Sequence, residues 1–271
     1  MPHSFAVVLP YYNEESFLSG TLRSWMAQTR RPEQLIVVDN GSTDRSPQVC
    51  RELLHGWEDS EVRLLHDPRP GKTNALETGC AQVTTTFVAL ADADTFYPPH
   101  YLDTCESMAR DLPDDAVSLM ALPERGNPAS LRSVLRRRSS VLLARALSRH
   151  CFVGGYGQVV RTESLRRAGG FSSAHWQYVL LDHEVFNRVF RYGHAVYDVR
   201  LWCRPSDRRS DRSRVRWSIL ERALYHAIPH RLQDWYFYCF LGPRLERRNL
   251  SQLNLREKPW QTTLDVGVRP G

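Results

Sequence analysis

The 271-residue chain has no long apolar run: the longest, Trp235–Leu241, is seven residues, far short of the roughly 20 that a membrane-spanning helix needs. No basic, apolar leader precedes the first strand-like stretch, Phe5–Leu9, so the sequence predicts no secretory signal. The six cysteines, Cys50, Cys80, Cys105, Cys151, Cys203 and Cys239, are scattered without a CxxC pair. That excludes a zinc ribbon and a disulfide framework, and it fits a reducing compartment. Lysine is nearly missing, with only Lys72 and Lys258, so arginine carries the positive charge. No internal repeat or low-complexity linker interrupts the chain. These absences together predict a cytoplasmic enzyme, neither exported nor membrane-spanning.

What remains is an ordinary globular composition, 42% hydrophobic and 24% charged. The net charge of +6 hides a polarity between the halves. Residues 1–120 hold 9 basic and 18 acidic side chains, whereas residues 121–271 hold 27 basic and 12 acidic. A second half of this sign is suited to an anionic partner: a phosphate-bearing substrate, a membrane surface or a nucleic acid.

The first half alternates short apolar runs with helical patterns. Phe5–Leu9, Leu35–Val38, Val62–Leu65 and Thr86–Ala91 read as strands. Between them lie a helix with Phe17, Leu18, Leu22, Trp25 and Met26 on one face, capped by Asn13, a second through Val49, Leu53, Leu54 and Trp57, and a third over Thr73–Val83. This alternation predicts an α/β fold with a mostly parallel sheet. Further on, Leu102–Leu112, Ser130–Ser148 and Asp182–Tyr192 read as helices, and Ala116–Leu122, Gly157–Arg161 and Ala195–Val199 as strands. Residues 1–212 are expected to form one α/β domain, and 213–271 a helical, basic and aromatic extension.

Open parallel sheets bind ligands outside the carboxyl ends of their strands. Four such ends carry Pro10-Tyr11-Tyr12-Asn13-Glu14, Asp39, Asp67 through Lys72, and Asp92-Ala93-Asp94. Asp92 and Asp94 are two residues apart, so in an extended chain both carboxylates point the same way and reach one hard cation, Mn²⁺ or Mg²⁺. Gly71-Lys72-Thr73 raises a rival reading, a phosphate-binding loop of a phosphotransferase. Pro68 and Pro70 remove two of the backbone donors that such a loop needs, and His66 stands where its first glycine belongs. In the second half, Ser218–Leu241 mixes aromatics with arginines. Packing on the domain and lying on an anionic membrane both fit that mixture. A nucleic-acid role is disfavoured, because it leaves the acidic edge unexplained.

Six stretches together resemble the family 2 glycosyltransferases of the GT-A fold. They are Val7–Glu14, Ile36–Asp44, Gly71–Leu76, Ala89–Asp94, Arg166–Phe171 and Asp182–Arg188, in the family's order. The resemblance implies transfer of a sugar from a nucleoside-diphosphate donor, UDP-linked ahead of GDP- or dTDP-linked, with inversion and with a divalent cation. It implies that Asp39 contacts the base and that Pro10, Tyr12, Glu14 and Lys72 line the donor pocket. Asp92 then meets the donor, Asp92 and Asp94 hold the cation, and Asp182 is the catalytic base. Residues 1–120 become the donor half and 121–212 the acceptor half, with Tyr156, Gly170, Phe171, Glu184, Arg216 and Trp217 on the acceptor side. The acceptor is a glycan, a lipid-linked precursor or a small molecule. Leu181 stands where the family usually has glutamate, which makes Glu184 the competing base. Arg216 and Trp217, in Ser213-Arg214-Val215-Arg216-Trp217, resemble the QxxRW motif of processive synthases, with Ser213 in place of glutamine. Those synthases carry membrane helices that this sequence lacks, so a non-processive enzyme is expected, with at most peripheral membrane contact through the basic C-terminal part.

Overall fold

The computed structural model describes residues 3–147, 149–206 and 218–256. Its centre is one eight-stranded sheet in the order β3-β2-β1-β4-β7-β6-β8-β5. The first four in space are β3 (Glu61–His66), β2 (Gln34–Asp39), β1 (Phe5–Tyr11) and β4 (Phe87–Leu90), all parallel. Then β7 (Gln158–Arg161) runs antiparallel between β4 and β6 (Ala116–Pro123). The edge is made by β8 (His194–Pro205), parallel to β6, and by the two-residue β5 (Thr95–Phe96), antiparallel to β8. The expectation of a mostly parallel sheet holds, with β7 and β5 as the reversals.

Side-chain alternation along the central strands builds two cores. Phe5, Val7 and Leu9 of β1 face one side with Leu35, Val37, Phe87 and Ala89; Ala6 and Val8 face the other with Ile36, Val38, Val88 and Leu90. Burial on both faces explains why these strands read as unbroken apolar runs. Three helices cover the first face: α1 (Glu15–Met26) through Leu18, Leu22 and Trp25, α2 (Ser46–Leu54) through Cys50 and Leu54, and α4 (Tyr101–Arg110) through Tyr101, Leu102 and Cys105. Each such buried aliphatic side chain is worth about 1.5–3 kcal/mol relative to exposure. On the other face lie α3 (Lys72–Ala81), α5 (Leu131–Ala146), α6 (Thr162–Arg167) and α7 (Leu181–Val189). Gly79 lets α3 sit close to the sheet: a Cβ there would stand 2.6 Å from Val8 Cγ1 and 3.0 Å from Val38 Cγ2.

The C-terminal residues share this second core. After α8 (Ile219–Ala227), a π-helical stretch over Trp235–Leu241 runs into α9 (Gly242–Arg247), and α10 (Gln252–Arg256) follows. Tyr236, Phe237, Leu241 and Leu245 are buried in one cluster with Phe171, Trp176 and Val185. The Val179 amide donates to Leu250 O at 3.1 Å, and the Gln252 amide to Gln177 O at 3.0 Å.

Asn13 does not cap α1 as expected. It adopts φ +51°, and its side-chain carbonyl accepts from the Thr43 amide at 2.8 Å. The free Glu15 amide at the start of α1 is satisfied instead by Asp44 at 3.1 Å, so the loops after β1 and β2 cap each other. No helix among the described residues is long and apolar enough to cross a membrane. All six cysteines are free thiols.

Candidate active site

The carboxyl ends of β1, β2 and β4 open into a cavity of about 810 Å³. It is closed on the other side by the 151–158 segment, the residues leading into α7, α8 and Gln252. Pro10, Tyr12, Glu14, Lys72, Asp92, Asp94, Phe171 and Asp182 all line it. Eight residues expected from the sequence to form a site, drawn from across the chain, therefore do meet in one place.

Each is held by identifiable chemistry. Asp92 follows β4; its amide donates to the Tyr97 hydroxyl at 3.1 Å, and that hydroxyl donates to Tyr156 O at 2.9 Å. This relay ties the end of β4 to the glycine-rich turn Gly154–Gly157. Asp92 Oδ1 pairs with Lys72 Nζ, which reaches it from the first position of α3. Asp94 Oδ2 accepts from Ser206 Oγ at 2.8 Å. Both acids are at least nine-tenths buried, at 4% and 6% exposure, so they are not surface-turn carboxylates.

Asp182 is the second residue of α7, whose first, Leu181, follows Leu180 in a left-handed conformation at φ +67°. For a non-glycine residue that backbone costs of order 1–3 kcal/mol and persists only where its surroundings enforce it. Asp182 Oδ2 accepts from the Gly155 amide at 2.7 Å; Oδ1 lies 3.1 Å from the His183 amide and 3.0 Å from His183 Nδ1. Burial pushes its pKa up, but the charge and hydrogen bond of His183, with Lys72 beyond, outweigh burial and repulsion from Asp92, so it is held below the ordinary carboxylate range. Gly155 is the hub: a Cβ there would stand 3.2 Å from Lys72 Nζ, 3.8 Å from Asp182 Cβ and 3.9 Å from Asp92 Oδ1.

Other residues expected at the site lie outside the cavity lining. Glu184 does not face the cavity. It is fully buried and pairs with Arg188 at 2.7 and 3.0 Å while accepting from the Tyr238 hydroxyl, so it clamps α7 to the C-terminal π-helical stretch. Asp39 stands at the end of β2 but beside the cavity. Its Oδ1 accepts from the Ser42 amide at 2.9 Å, and its Oδ2 lies 3.0 Å from His66 Nδ1. Tyr156 turns into the first core, and Gly170, at φ +58°, lies outside the lining that Phe171 joins. Arg216 and Trp217 lie outside the described residues. A phosphate-binding loop at 66–73 is unsupported, because its donors are already used. The amides of Arg69, Gly71 and Thr73 bond to Asp67 Oδ1, Asn40 Oδ1 and Gln252 Oε1 at 2.9, 2.8 and 3.0 Å.

Several lining residues carried no legible local signal. Asn40 pins the 67–71 loop, and Gln252 reaches across 179 positions to Thr73. Arg222 and His226, one turn apart on α8, line the cavity with Phe152, whose ring stacks on His226 at 5.1 Å. Burial, with electrostatic contributions from His150, Arg222 and His183, pulls the His226 imidazole down to about 4, so it is neutral near pH 7.

Among the described residues no three His, Cys, Asp or Glu side chains are grouped to hold a metal ion by themselves. Two hard carboxylates, Asp92 and Asp94, do face one cavity, and Mg²⁺-type ions are commonly held by one or two carboxylates together with substrate phosphates. The residues fit a cation that shares a phosphorylated ligand.

The curled, mostly parallel sheet flanked by helices matches the GT-A fold of the solved structures it superposes on. Residues 6–166 match the family described as Glycosyl transferase family 2, and the chain belongs to that family. Among curated relatives it is 33% identical over 97 residues to an uncharacterized glycosyltransferase of Nostoc, alr2836, covering 36% of this chain and 30% of that protein. It is also 33% identical over 97 residues to the undecaprenyl-phosphate 4-deoxy-4-formamido-L-arabinose transferase of Pectobacterium carotovorum, covering 35% and 30%. The match thus spans about a third of each relative's length. Among solved structures, the mannosyltransferase PcManGT of Pyrobaculum calidifontis, in complex with GDP-Man and Mn²⁺, superposes with a TM-score of 0.65 at 20% identity, covering 100% of this chain and 77% of that one. TarS 1–349 of S. aureus with UDP-GlcNAc gives 0.59 at 15% identity, covering 94% and 76%. At such identities these likenesses speak for the fold.

Proposed function

We propose that the chain transfers a sugar from a nucleoside-diphosphate donor, UDP-linked in the first instance, to an acceptor hydroxyl by an inverting, non-processive displacement. The observation that carries this is the convergence of Asp92, Lys72 and Asp182 around Gly155 within one cavity. The nucleoside lies along Pro10, Tyr12, Glu14 and Asn40, with its base directed toward Asp39. The diphosphate reaches Lys72 and the Asp92–Asp94 pair. Asp92 and Asp94 would hold a divalent cation, Mn²⁺ or Mg²⁺, which would supply positive charge against the departing diphosphate. The named complexes of PcManGT with GDP-Man and Mn²⁺ and of TarS with UDP-GlcNAc support this placement by analogy of fold.

Asp182 is then the base. The acceptor oxygen attacks the anomeric carbon while the bond to the phosphate oxygen breaks on the opposite face, and the hydroxyl proton passes to the Asp182 carboxylate. The lowered pKa keeps that carboxylate in its ionised form, the form that can take a proton. The Gly155 amide and His183 fix its two oxygens, and Phe152, Phe171, Arg222 and His226 form the wall along which the acceptor enters. A lipid-linked acceptor is one class that this wall would serve, as the name of the Pectobacterium relative suggests.

A thermal-shift panel of nucleotide sugars with and without Mn²⁺ tests the reading, because a ligand selective for the native state stabilises it by about 2.7 kcal/mol at 100 times its Kd. A nucleoside-diphosphate sugar that raises melting only with Mn²⁺ present is the expected result. A shift by ATP and by no nucleotide sugar would overturn it.

A further inference from the structure

Helix α5 has an outward face that its place in the fold does not require. Ser130 caps it, accepting from the Ser133 amide at 3.2 Å, and Val141 and Ala144 anchor it in the core. The opposite side carries Leu131, Leu135, Leu142 and Leu143, exposed by 74, 54, 66 and 53%. Leu131, Leu135 and Leu142 are spaced i, i+4 and i+11, which places them in one stripe along the helix.

The charged residues of the helix itself have one sign, with Asp198 of β8 near Arg145 as an acidic neighbour. The helix contains five arginines, at 132, 136, 137, 138 and 145, and no acidic residue. Arg136 and Arg137 are turned to internal use, pairing with the fully buried Glu124. Arg132 and Arg138 form no salt bridge among the described residues, and with Arg145 they flank the leucines. The chain positions on either side of α5, Arg125 and Cys151-Phe152, line the cavity, so this helix is tethered at both ends to the active-site wall.

From this we infer that α5 docks on an anionic lipid bilayer, lying in its interface with the leucine stripe inserted and the arginines among the headgroups. Exposed leucines flanked by arginines offer the two interactions that hold an in-plane helix, apolar insertion and attraction to anionic headgroups. Charge complementarity selects this occupant over a second copy of the chain. A two-fold contact through α5 sets the same patch against itself, so it would bring arginines against arginines. An anionic leaflet instead attracts each arginine near it, by about fivefold in partitioning. Docking here does not depend on sugar transfer, and its readout is independent of activity.

The test is co-sedimentation of the full chain with phosphatidylglycerol-containing vesicles and with pure phosphatidylcholine vesicles, at low and high salt. The wild type is expected to bind the anionic vesicles and to be weakened by salt. Leu135→Glu/Leu142→Glu, both at exposed positions, is expected to abolish binding without lowering the melting temperature or nucleotide affinity. Arg132→Gln/Arg138→Gln is expected to weaken it by roughly 25-fold. The proposal is overturned if the wild type ignores anionic vesicles, if both double variants bind like the wild type, or if light scattering shows a dimer that Leu135→Glu/Leu142→Glu dissolves.

Discussion

The Gly155 amide donates to Asp182 Oδ2 at 2.7 Å, and this one bond joins the turn before β7 to the first turn of α7. It fixes the carboxylate beside Lys72 and Asp92 and leaves it facing the cavity where an acceptor hydroxyl would arrive. A base located this way is set by backbone, so its chemistry is separable from its placement.

Asp182→Asn keeps the shape and the acceptor oxygen but removes basicity. Transfer should fall by about 10²–10⁴-fold while donor affinity stays near the wild-type value. Single-turnover rates beside calorimetric donor binding check both halves of that expectation. Turnover within a few-fold of wild type would show that Asp182 merely shapes α7.

The pH dependence follows from what surrounds Asp182. Burial acts to raise its pKa, but His183 and Lys72 win, so the charged form survives below the ordinary carboxylate range. The rate should therefore hold in mildly acidic buffer and drop only as pH falls through that lowered value. His183→Gln removes the interactions that hold the Asp182 pKa down and should move this acid limb to higher pH. The same depression lends stability that is present above the unfolded-state value of about 3.9 and lost as pH falls through the folded one. A pH–rate profile of the variant that overlays the wild type would contradict the assignment.

Glu184→Gln separates a structural acid from a catalytic one. The Glu184–Arg188 pair is buried, and breaking such a pair costs about 3 kcal/mol. Melting should fall by roughly 6–12 °C, with residual folded enzyme turning over near normally. A collapse in turnover without loss of melting temperature would return Glu184 to candidacy as the base.

Asp94→Asn retains an oxygen to accept from Ser206 but halves the carboxylate set. The fold should survive, as read by an unchanged melting temperature without ligand, while the effect of Mn²⁺ on nucleotide binding disappears. Cation-dependent binding of wild-type strength in this variant would remove Asp94 from the site.

Much of this was legible in the sequence because local pattern and ligand edge coincide. The buried runs at Phe5–Leu9 and Leu35–Val38 became β1 and β2, and the acids following the β4 run reached the cavity. What escaped depends on distant contacts. β5 is two residues long and exists only because Thr95 and Phe96 pair with Pro205 and Arg204. Glu184 lies in a stretch matching the family pattern, yet Arg188 and Tyr238 draw it inward. Asn13 has the chemistry of a helix cap, but the Thr43 amide claims it. Arg222 and His226 read as part of a basic, aromatic extension, and only the burial of Tyr225 and Tyr236 turns α8 so that they meet Asp182's neighbours.

The most direct test is a calorimetric titration of UDP and GDP into the wild-type chain, with and without Mn²⁺, alongside Mn²⁺ alone. Because two carboxylates cannot complete a cation's coordination by themselves, Mn²⁺ alone should bind weakly, and the nucleotide and the ion should strengthen one another by at least about tenfold, a coupling of 1.4 kcal/mol. Nucleotide binding of equal strength with and without the ion, or no binding of any nucleoside diphosphate, would contradict the central claim that Asp92 and Asp94 seat a cation shared with the donor.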